Sequence, residues 1–275
     1  MTFAQEVGAR ERFEFGRNWR RFLSSLTEQK IQNAMDALAS MMEMNDLRGL
    51  RLLDIGCGSG LSSLAARRLG ARVHSFDYDP ESVACTLELR NRFYPQDGGN
   101  WVVEQGSALD GSYLRSLGSF DIVYSWGVLH HTGAMWKALE NATIPLAAGG
   151  TLFIAIYNDQ GGHSRRWRAV KRLYNRMPRG LRFLVVIPVA VHQWWRPTLK
   201  DFLRLRPFST WRSYSSGRGM SPWRDVIDWV GGYPFEVARP EEIFDFYRKR
   251  KYELIKLKTC GGSLGCNEFV FGRSR

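Results

Sequence analysis

The chain has 275 residues, with 39 Lys and Arg against 27 Asp and Glu, which gives a formal net charge of +12. Hydrophobic residues make up 44% and charged residues 24% of the sequence, and this balance excludes a wholly disordered chain. The length suits one large α/β domain or two small ones. The excess of positive charge indicates an acidic partner, such as RNA, a phospholipid surface or a phosphorylated substrate.

Neither the cysteines nor the N-terminal segment indicates export. The four cysteines, at positions 57, 85, 260 and 266, form no Cys-x-x-Cys pair and are too few for a disulfide framework. We expect Cys260 and Cys266, which flank a glycine-rich turn, to be reduced thiols. The N-terminal segment carries charges throughout, and the longest apolar run, 183–191, is shorter than the roughly 20 residues of a membrane-spanning helix. We therefore expect a cytoplasmic protein.

Helices and strands alternate along the chain. Leu and Met recur at helical spacing over residues 19–47, which predicts one helix there. The elements predicted after it are, in order, strand 51–55, helix 61–69, strand 71–76, helix 80–92, strand 101–105, strand 120–125, helix 133–147, strand 151–157, helix 240–250, strand 252–258 and strand 266–272. This order predicts an α/β fold, a Rossmann-like, mostly parallel sheet of seven strands with helices on both faces and an antiparallel hairpin at its edge.

A glycine-rich loop joins strand 51–55 to the next helix, with the sequence Leu53-Asp54-Ile55-Gly56-Cys57-Gly58-Ser59-Gly60. Glycines let the backbone approach a ligand closely, and the N–H groups of a helix N-terminus attract an anion. Asp77 closes the second strand, where a carboxylate can accept hydrogen bonds from both hydroxyls of a ribose. Without Gly-Lys-Ser/Thr the loop is not a P-loop, and its glycine spacing differs from the dinucleotide-binding pattern Gly-x-Gly-x-x-Gly.

Four motifs in order resemble those of class I S-adenosylmethionine-dependent methyltransferases: LLDIGCGSG (52–60), VHSFDYD (73–79), GSALD (106–110) and FDIVYSWGVLHHT (120–132). The chain is most similar in this respect to bacterial small-molecule O-methyltransferases of the ubiquinone-biosynthesis type. The resemblance implies S-adenosylmethionine as the cofactor and S-adenosylhomocysteine as its product. It also implies methyl transfer to an oxygen or nitrogen of a small-molecule or lipid- or glycan-linked acceptor.

The resemblance further implies which residues hold the cofactor. The glycines would wrap its methionine part, Asp54 would organise its amino group or a water, and Asp77 would hold the ribose. Tyr78 and the pair Ser107 and Ala108 would border the adenine, with Ser125, Trp126 and Gly127 beneath the sulfonium. The cofactor-binding residues predicted in this way are Asp54, Gly56, Cys57, Gly58, Gly60, Asp77, Tyr78, Ser107, Ala108, Trp126 and Trp19.

The N-terminal motif FEFGRNW (13–19) is similar to the lid segment of some family members. Trp19 and Phe15 would then cover the cofactor, or alternatively anchor the first helix on the sheet. The implied division is an N-terminal helical lid (1–48), a cofactor-binding core (49–157), an inserted cap (158–236), and a C-terminal helix and strand pair (237–275). The cap is read as an insertion with long irregular stretches, because it is too long for a plain connection.

Candidate catalytic residues follow the fourth and fifth strands. His130 and His131 come directly after the fourth, and a histidine near neutral pKa suits proton removal from an acceptor. Tyr157 and Asn158 end the fifth strand and would hydrogen-bond the acceptor. We predict His131, Tyr157 and Asn158 as catalytic residues, against the alternatives of simple packing and strand termination. No metal site is predicted, because no carboxylate cluster accompanies the two histidines.

The positive charge is concentrated in one segment. Residues 161–224 carry 15 Lys and Arg against one acid, Asp201, and hence a net charge of +14, while the other 211 residues carry 24 against 26 and a net charge of −2. The segment also holds five of the ten tryptophans. Its chemistry suits a membrane surface, an anionic or lipid-linked substrate, or RNA, and it equally suits a solvated cap or an oligomer interface.

Two further functions stay open beside methyl transfer to a small molecule. A chain of this fold can use the same cofactor without methylating, for example by cyclising its aminobutyryl arm, and it can methylate RNA. RNA is the less favoured partner, because no known RNA-binding module accompanies the core and the core itself carries no excess of positive charge.

Overall fold

The computed structural model describes residues 2–218 and 222–273. Its strands are β1 (Arg51–Ile55), β2 (Arg72–Asp77), β3 (Trp101–Gln105), β4 (Phe120–Trp126), β5 (Leu146–Tyr157), β6 (Tyr252–Lys258) and β7 (Cys266–Arg273). They form one sheet in the order β3-β2-β1-β4-β5-β7-β6. Strands β1 to β5 are parallel, and β7 runs antiparallel to both β5 and β6. The predicted fold class is confirmed.

The helices surround the sheet and extend beyond it. Those before β1 are α1 (Phe3–Gly8), α2 (Gly16–Leu23) and α3 (Glu28–Met42). Those of the core are α4 (Leu61–Arg68), α5 (Pro80–Phe93), α6 (Gly111–Ser116), α7 (Met135–Asn141) and α12 (Pro240–Arg248). Between β5 and α12 lie α8 (Gly162–Arg176), α9 (Phe183–Leu203), α10 (Ser209–Arg218) and α11 (Pro222–Gly231).

The sheet is buried on both faces. Successive side chains of a strand point to opposite faces, so Leu52 and Leu53 belong to different hydrophobic clusters. Leu52 packs in the cluster that contains Leu64 of α4, and Leu53 packs in the cluster that contains Leu139 of α7. This explains why the strands read as continuous apolar runs, which is typical of a parallel sheet covered by helices.

Two predicted helices have different bounds in the structure. The prediction of a single helix over 19–47 is wrong, because α2 ends at Leu23 and a separate helix, α3, begins after Thr27. The Thr27 side chain accepts a hydrogen bond from the Lys30 N–H and so caps α3. The helix predicted over 133–147 ends at Asn141. Pro145 cannot continue a helix, and its carbonyl instead accepts the Phe120 N–H, which brings the chain to β5 earlier than predicted.

The segment between β5 and α12 is mostly helical, so the prediction of long irregular stretches was wrong. Its helices enclose a small hydrophobic cluster of their own, built on the buried side chains of Tyr174, Val186, Val226 and Val230. Phe13, from the N-terminal segment, packs against the same cluster. None of the helices that the structure describes is long and apolar enough to span a membrane. The division into lid, core and cap stays a prediction.

Candidate functional site

The candidate site lies at the carboxyl ends of the parallel strands. The strand order reverses between β1 and β4, because the chain after β1 first builds β2 and β3 on one side and then crosses to the other. Open α/β sheets bind ligands in the crevice above such a switch point. The glycine loop, Asp77, Trp126 and Tyr157 all follow or end strands at this edge.

The glycine loop has a shape that other residues would not adopt. Gly56, Gly58 and Gly60 have φ angles of +78°, +54° and +80°, in the region that favours glycine. The N–H groups of Gly56 and Cys57 both donate to the Phe76 carbonyl, at 2.8 and 3.1 Å. A Cβ atom on Gly56 would lie 2.3 Å from Cγ1 of Val128, so the loop passes too close to its neighbour for any side chain.

Asp77 joins the end of β2 to the glycine loop. Its Oδ2 accepts the Gly58 N–H and its Oδ1 accepts the Asp79 N–H, both at 2.9 Å. Burial raises the pKa of Asp77 to about 6, against the two backbone hydrogen bonds, which lower it. The carboxylate therefore lies at the loop, in the position in which the resemblance places the ribose.

Asp54 lies beneath the loop. Its side chain is buried and accepts a hydrogen bond from the Ser63 hydroxyl. Burial, together with the charge of Asp77, raises the pKa of Asp54 to about 7. Asp54 thus connects β1 to α4 behind the glycines, and its role toward a cofactor amino group stays a prediction.

The remaining predicted cofactor residues line the same edge of the sheet. Ala108 is buried and its carbonyl accepts the side-chain amide of Asn141, while the Ser107 hydroxyl accepts the Leu109 N–H. The Cys57 thiol is buried and accepts from Thr86. Trp126 ends β4 with 48% of its surface exposed, which leaves its ring available above the sheet.

The N-terminal segment covers this edge. Trp19 packs on the glycine loop, so that a Cβ atom on Gly58 would lie 3.1 Å from its indole nitrogen. The Gly16 N–H donates to the buried Asp79 at 2.8 Å, which holds the start of α2 at the end of β2. Phe3 packs edge-on against Tyr78, with 5.6 Å between the ring centroids. These contacts hold the N-terminal segment, which the resemblance predicts to be a lid, against the glycine loop and the end of β2.

His130, His131 and Tyr157 form one aromatic cluster. The ring centroids of His130 and Tyr157 are 3.9 Å apart, and those of His131 and Tyr157 are 5.4 Å apart. His131 lies against Phe15 of the lid at 5.1 Å, and its Nδ1 is 2.6 Å from the Pro234 carbonyl. Because a carbonyl only accepts, Nδ1 must carry the proton, which leaves the lone pair on Nε2.

Both histidines are neutral at physiological pH. Burial lowers the pKa of His131 to about 3 and lowers the pKa of His130 well below its usual value, and the nearby charge of Lys171 lowers both. His130 accepts the Tyr157 N–H at Nδ1, at 3.3 Å, and its buried Nε2 has no hydrogen-bond partner within the described residues. Of the pair, His131 is the one near the lid.

Asn158 does not belong to this cluster, contrary to the prediction. Its side chain contacts the hairpin between β6 and β7, donating to the Ser263 carbonyl and accepting from the Asn267 amide at 3.1 Å. Its backbone forms a bridge to Ala238. Asn158 therefore follows β5 and hydrogen-bonds the β6–β7 hairpin. Of the two residues, Tyr157 is the one that contacts the histidines.

Two basic residues belong to the site although the motifs do not point to them. Lys171 of α8 is fully buried, donates to the Trp229 carbonyl, and lies 4.1 Å from the centroid of the Trp229 ring; burial lowers its pKa to about 7. Arg12 donates to the His131 carbonyl at 2.9 Å and lies 5.0 Å from the Tyr78 ring. The helical spacing from buried Trp167 to Lys171 was the available signal for the first.

A metal site is not visible in this arrangement. Across residues 2–218 and 222–273, no group of three or more His, Cys, Asp or Glu side chains is placed to hold a metal ion. The groups that the described residues do place at this edge are a glycine loop, a carboxylate, a neutral histidine and aromatic rings.

Comparison with known proteins agrees with the resemblance seen in the sequence motifs. Residues 53–152 match the family described as the methyltransferase domain. Over 194 residues the chain is 27% identical to the ubiquinone biosynthesis O-methyltransferase of Xanthomonas campestris pv. campestris (strain B100), covering 65% of this chain and 70% of that protein. Magnesium protoporphyrin IX methyltransferase from Synechocystis PCC 6803, crystallised with bound SAH, shares the fold with a TM-score of 0.54, 14% identity and 93% of each chain covered.

A second solved structure shares the fold at a similar distance. The N-methyltransferase NodS from Bradyrhizobium japonicum WM9, in complex with S-adenosyl-L-homocysteine, aligns with a TM-score of 0.51 and 14% identity over 89% of this chain and 87% of that one. At such identities the two structures support the fold and not a substrate.

The residues on the edge of the sheet fit S-adenosylmethionine. A Cβ atom on Gly56 or Gly58 would crowd Val128 or Trp19, and the carboxylate of Asp77 lies at the end of β2, where the resemblance places a ribose. The family match begins within the strand that leads into the glycine loop and ends in β5, so it contains these residues. Residues 53–152 match the methyltransferase domain, and the fold, the loop and the relatives together support a class I S-adenosylmethionine-dependent methyltransferase.

Proposed function

We propose that this enzyme methylates a hydroxyl oxygen of an anionic small molecule, with His131 as the base. The observation that carries the proposal is the hydrogen bond from Nδ1 of His131 to the Pro234 carbonyl, which directs the lone pair to Nε2. The name of the relative from Xanthomonas, an O-methyltransferase, supports oxygen over nitrogen.

Methyl transfer to a hydroxyl oxygen requires only a weak base. S-adenosylmethionine, when bound, supplies a methyl group already activated by a positive sulfur. The protein mainly orients the acceptor and excludes water, which Phe15 and Trp19 of the lid accomplish by covering the edge of the sheet. A hydroxyl oxygen becomes strongly acidic as it gains a methyl group, so even a histidine with a pKa of about 3 can take its proton.

The ribose assignment predicts a strong effect of Asp77→Asn. The variant loses charged hydrogen bonds, so cofactor affinity should fall by about 10- to 100-fold. The wild-type carboxyl has a pKa of about 6 and accepts hydrogen bonds best when ionised, so wild-type affinity should weaken as the pH is lowered through that value. Titration calorimetry with S-adenosylhomocysteine at several pH values measures both effects.

Asp97→Asn is the matched control for Asp77→Asn, because Asp97 pairs with Arg67 away from the glycine loop. It should leave both the affinity and its pH dependence unchanged. Equal affinities for Asp77→Asn and the wild type, or a pH dependence that survives in Asp77→Asn, would contradict the ribose assignment.

An arginine-lined cleft supports an anionic acceptor. The cleft has a volume of about 660 Å³ and lies between the lid and the segment after α8. Its basic lining residues are Arg10, Arg12, Arg17, Arg21, Arg179 and Arg182, against a single acid, Glu14. Arg12 also contacts the backbone of His131, and Phe13 of the cleft packs on Phe15, which packs on His131, so the cleft adjoins the proposed base.

The cleft assignment predicts binding of small anions. Inorganic pyrophosphate should bind the wild type, and the exposed pair Arg21→Ala and Arg179→Ala should weaken binding by about tenfold when combined. Arg115→Ala, an exposed arginine on α6, is the control and should have no effect. Calorimetry at constant ionic strength gives the three affinities, and equal values would argue against an anion site in this cleft.

The function itself is tested by following the methyl group. The protein is incubated with methyl-labelled S-adenosylmethionine and a panel of hydroxybenzoates, matched aminobenzoates and total RNA, and the products are analysed by mass spectrometry. We expect label in a methyl ether. Label only on nitrogen or in RNA would contradict the proposal, and a cyclised aminobutyryl fragment without methylated product would support the non-methylating alternative.

A further inference from the structure

Helix α9 exposes an apolar stripe along its outer side. Leu184, Ile187, Val191, Trp195 and Phe202 recur at spacings of three, four and seven residues, and each is 48–59% exposed. The stripe runs for about 27 Å at 1.5 Å per residue. We call these five residues the α9 stripe. A helix of a soluble protein normally packs such a stripe against a core. In α9 the opposite side, with Val186, packs into the buried cluster, and the stripe is left exposed.

The turn after α9 extends the apolar surface. Leu203 and Leu205 are 77% and 89% exposed, and Phe208 packs edge-on against Phe202, with ring centroids 5.5 Å apart. Leu205 and Phe208 have φ angles of +54° and +59°, which is a costly conformation for residues with side chains. In this turn the backbone holds large apolar side chains outward, where they are in water unless something covers them.

The charges around the stripe have one sign. Arg196, Lys200, Arg204 and Arg206 are exposed on α9 and the turn that follows it. Asp201, the one acid among residues 161–224, is buried and accepts hydrogen bonds from the backbone and hydroxyl of Thr210 at 2.7 Å. An apolar strip with a basic border and a half-exposed tryptophan matches the boundary between lipid chains and anionic headgroups.

We propose that the α9 stripe docks on an anionic phospholipid surface, with the helix lying in the plane of the interface. A second copy of the chain fits less well. A two-fold interface would bring the same basic border of each copy together, with no exposed acid in this segment to offset it. Nucleic acid fits less well too, because aliphatic side chains such as Leu184, Ile187 and Val191 do not stack on bases.

Docking would also place the lid near the lipid surface. Val186 of α9 and Phe13 of the lid segment belong to the same hydrophobic cluster, so the helix and the N-terminal segment are joined through one small core. An amphipathic acceptor held in the membrane would then enter beside the lid. The docking proposal does not depend on which atom is methylated.

Vesicle sedimentation with the full chain tests the proposal. Vesicles of phosphatidylcholine alone are compared with vesicles containing about 30 mol% phosphatidylglycerol, at about 0.05 M and 0.5 M NaCl. We expect binding to the anionic vesicles, weakened but not abolished by salt. The double variant Ile187→Glu and Val191→Glu should lower the partition coefficient by at least about tenfold.

The matched control places the same two charges on another exposed apolar surface. Ile255 and Leu257 of β6 are also half-exposed and lie away from α9, so Ile255→Glu with Leu257→Glu should bind vesicles like the wild type. Circular dichroism and S-adenosylhomocysteine binding check that both double variants are folded. Absence of wild-type binding to anionic vesicles at low salt, equal loss in the control, or a dimer that the α9 variant dissociates would overturn the proposal.

Discussion

Gly56→Ala should abolish measurable cofactor binding, with a loss of affinity of at least about 100-fold, and lower the free energy of unfolding by about 2–5 kcal/mol. Two causes add. The φ angle of +78° disfavours any side chain, and the new Cβ atom would lie 2.3 Å from Cγ1 of Val128. The loop must move away from Val128, and that movement displaces the N–H groups that Phe76 holds in place.

Gly118→Ala separates the two causes. Gly118 has nearly the same φ angle, +79°, but no described atom beyond its chain neighbours lies within 4 Å of the new Cβ. Its replacement should therefore cost only the backbone strain, about 1 kcal/mol, and leave cofactor binding unchanged. Combining Gly56→Ala with Val128→Ala should recover part of the stability. Urea denaturation and calorimetry decide, and equal effects of the two single variants would remove the close contact as the cause.

His131→Ala should lower kcat by about 100-fold or more while the affinity for S-adenosylhomocysteine stays within about twofold. The side chain lies in the short helical turn Leu129–His131 that follows β4, and its Nε2 is the ring nitrogen left with a lone pair. Removing it takes away the proton acceptor without touching the glycine loop or Asp77. Single-turnover rates with an acceptor found in the labelling experiment measure the effect.

His131→Asn distinguishes a base from a packing residue. The asparagine amide can still donate to the Pro234 carbonyl, as Nδ1 does now, but it provides no basic nitrogen. If His131 is the base, His131→Asn should be as slow as His131→Ala. His74→Ala is the control, because His74 lies on β2 and pairs with Glu104 of β3. The activity of this variant should be unchanged. Recovery of the rate in His131→Asn would make His131 a packing residue.

Much of the core could be predicted because its signals are local. The glycine loop must join a strand to a helix, and the runs around Val123 and Ile154 are apolar strands that only a covered sheet can bury. The position of Asp77 followed from the length of the second strand. Where the predictions failed, a local cap or breaker decided the outcome: Thr27 begins a new helix and Pro145 ends one.

The catalytic cluster was predictable only in part. Tyr157 ends β5, and His131 lies in the short helical turn Leu129–His131 that follows β4, so the parallel pairing of β4 with β5 brings the two side chains together. Asn158 follows Tyr157 directly, yet successive residues at a strand end point in opposite directions, and its side chain joins the hairpin. Lys171 is far away in sequence and is buried beside Trp229 only because the helices between β5 and α12 fold back over this edge.

The order of motifs in the sequence was sufficient to predict the fold class and the place of the glycine loop, because these depend on short stretches whose physics is complete within a strand, a turn and the start of a helix. The cofactor followed from the resemblance of those motifs to a known family. The structure was needed to separate the buried basic residues from the exposed ones. Composition counts Lys171, Arg12 and Arg196 alike, but packing buries the first beside the histidines, seats the second against Tyr78, and leaves the third at the border of the α9 stripe. The environment of a charge is set by contacts between distant segments, and those contacts exist only in the folded chain.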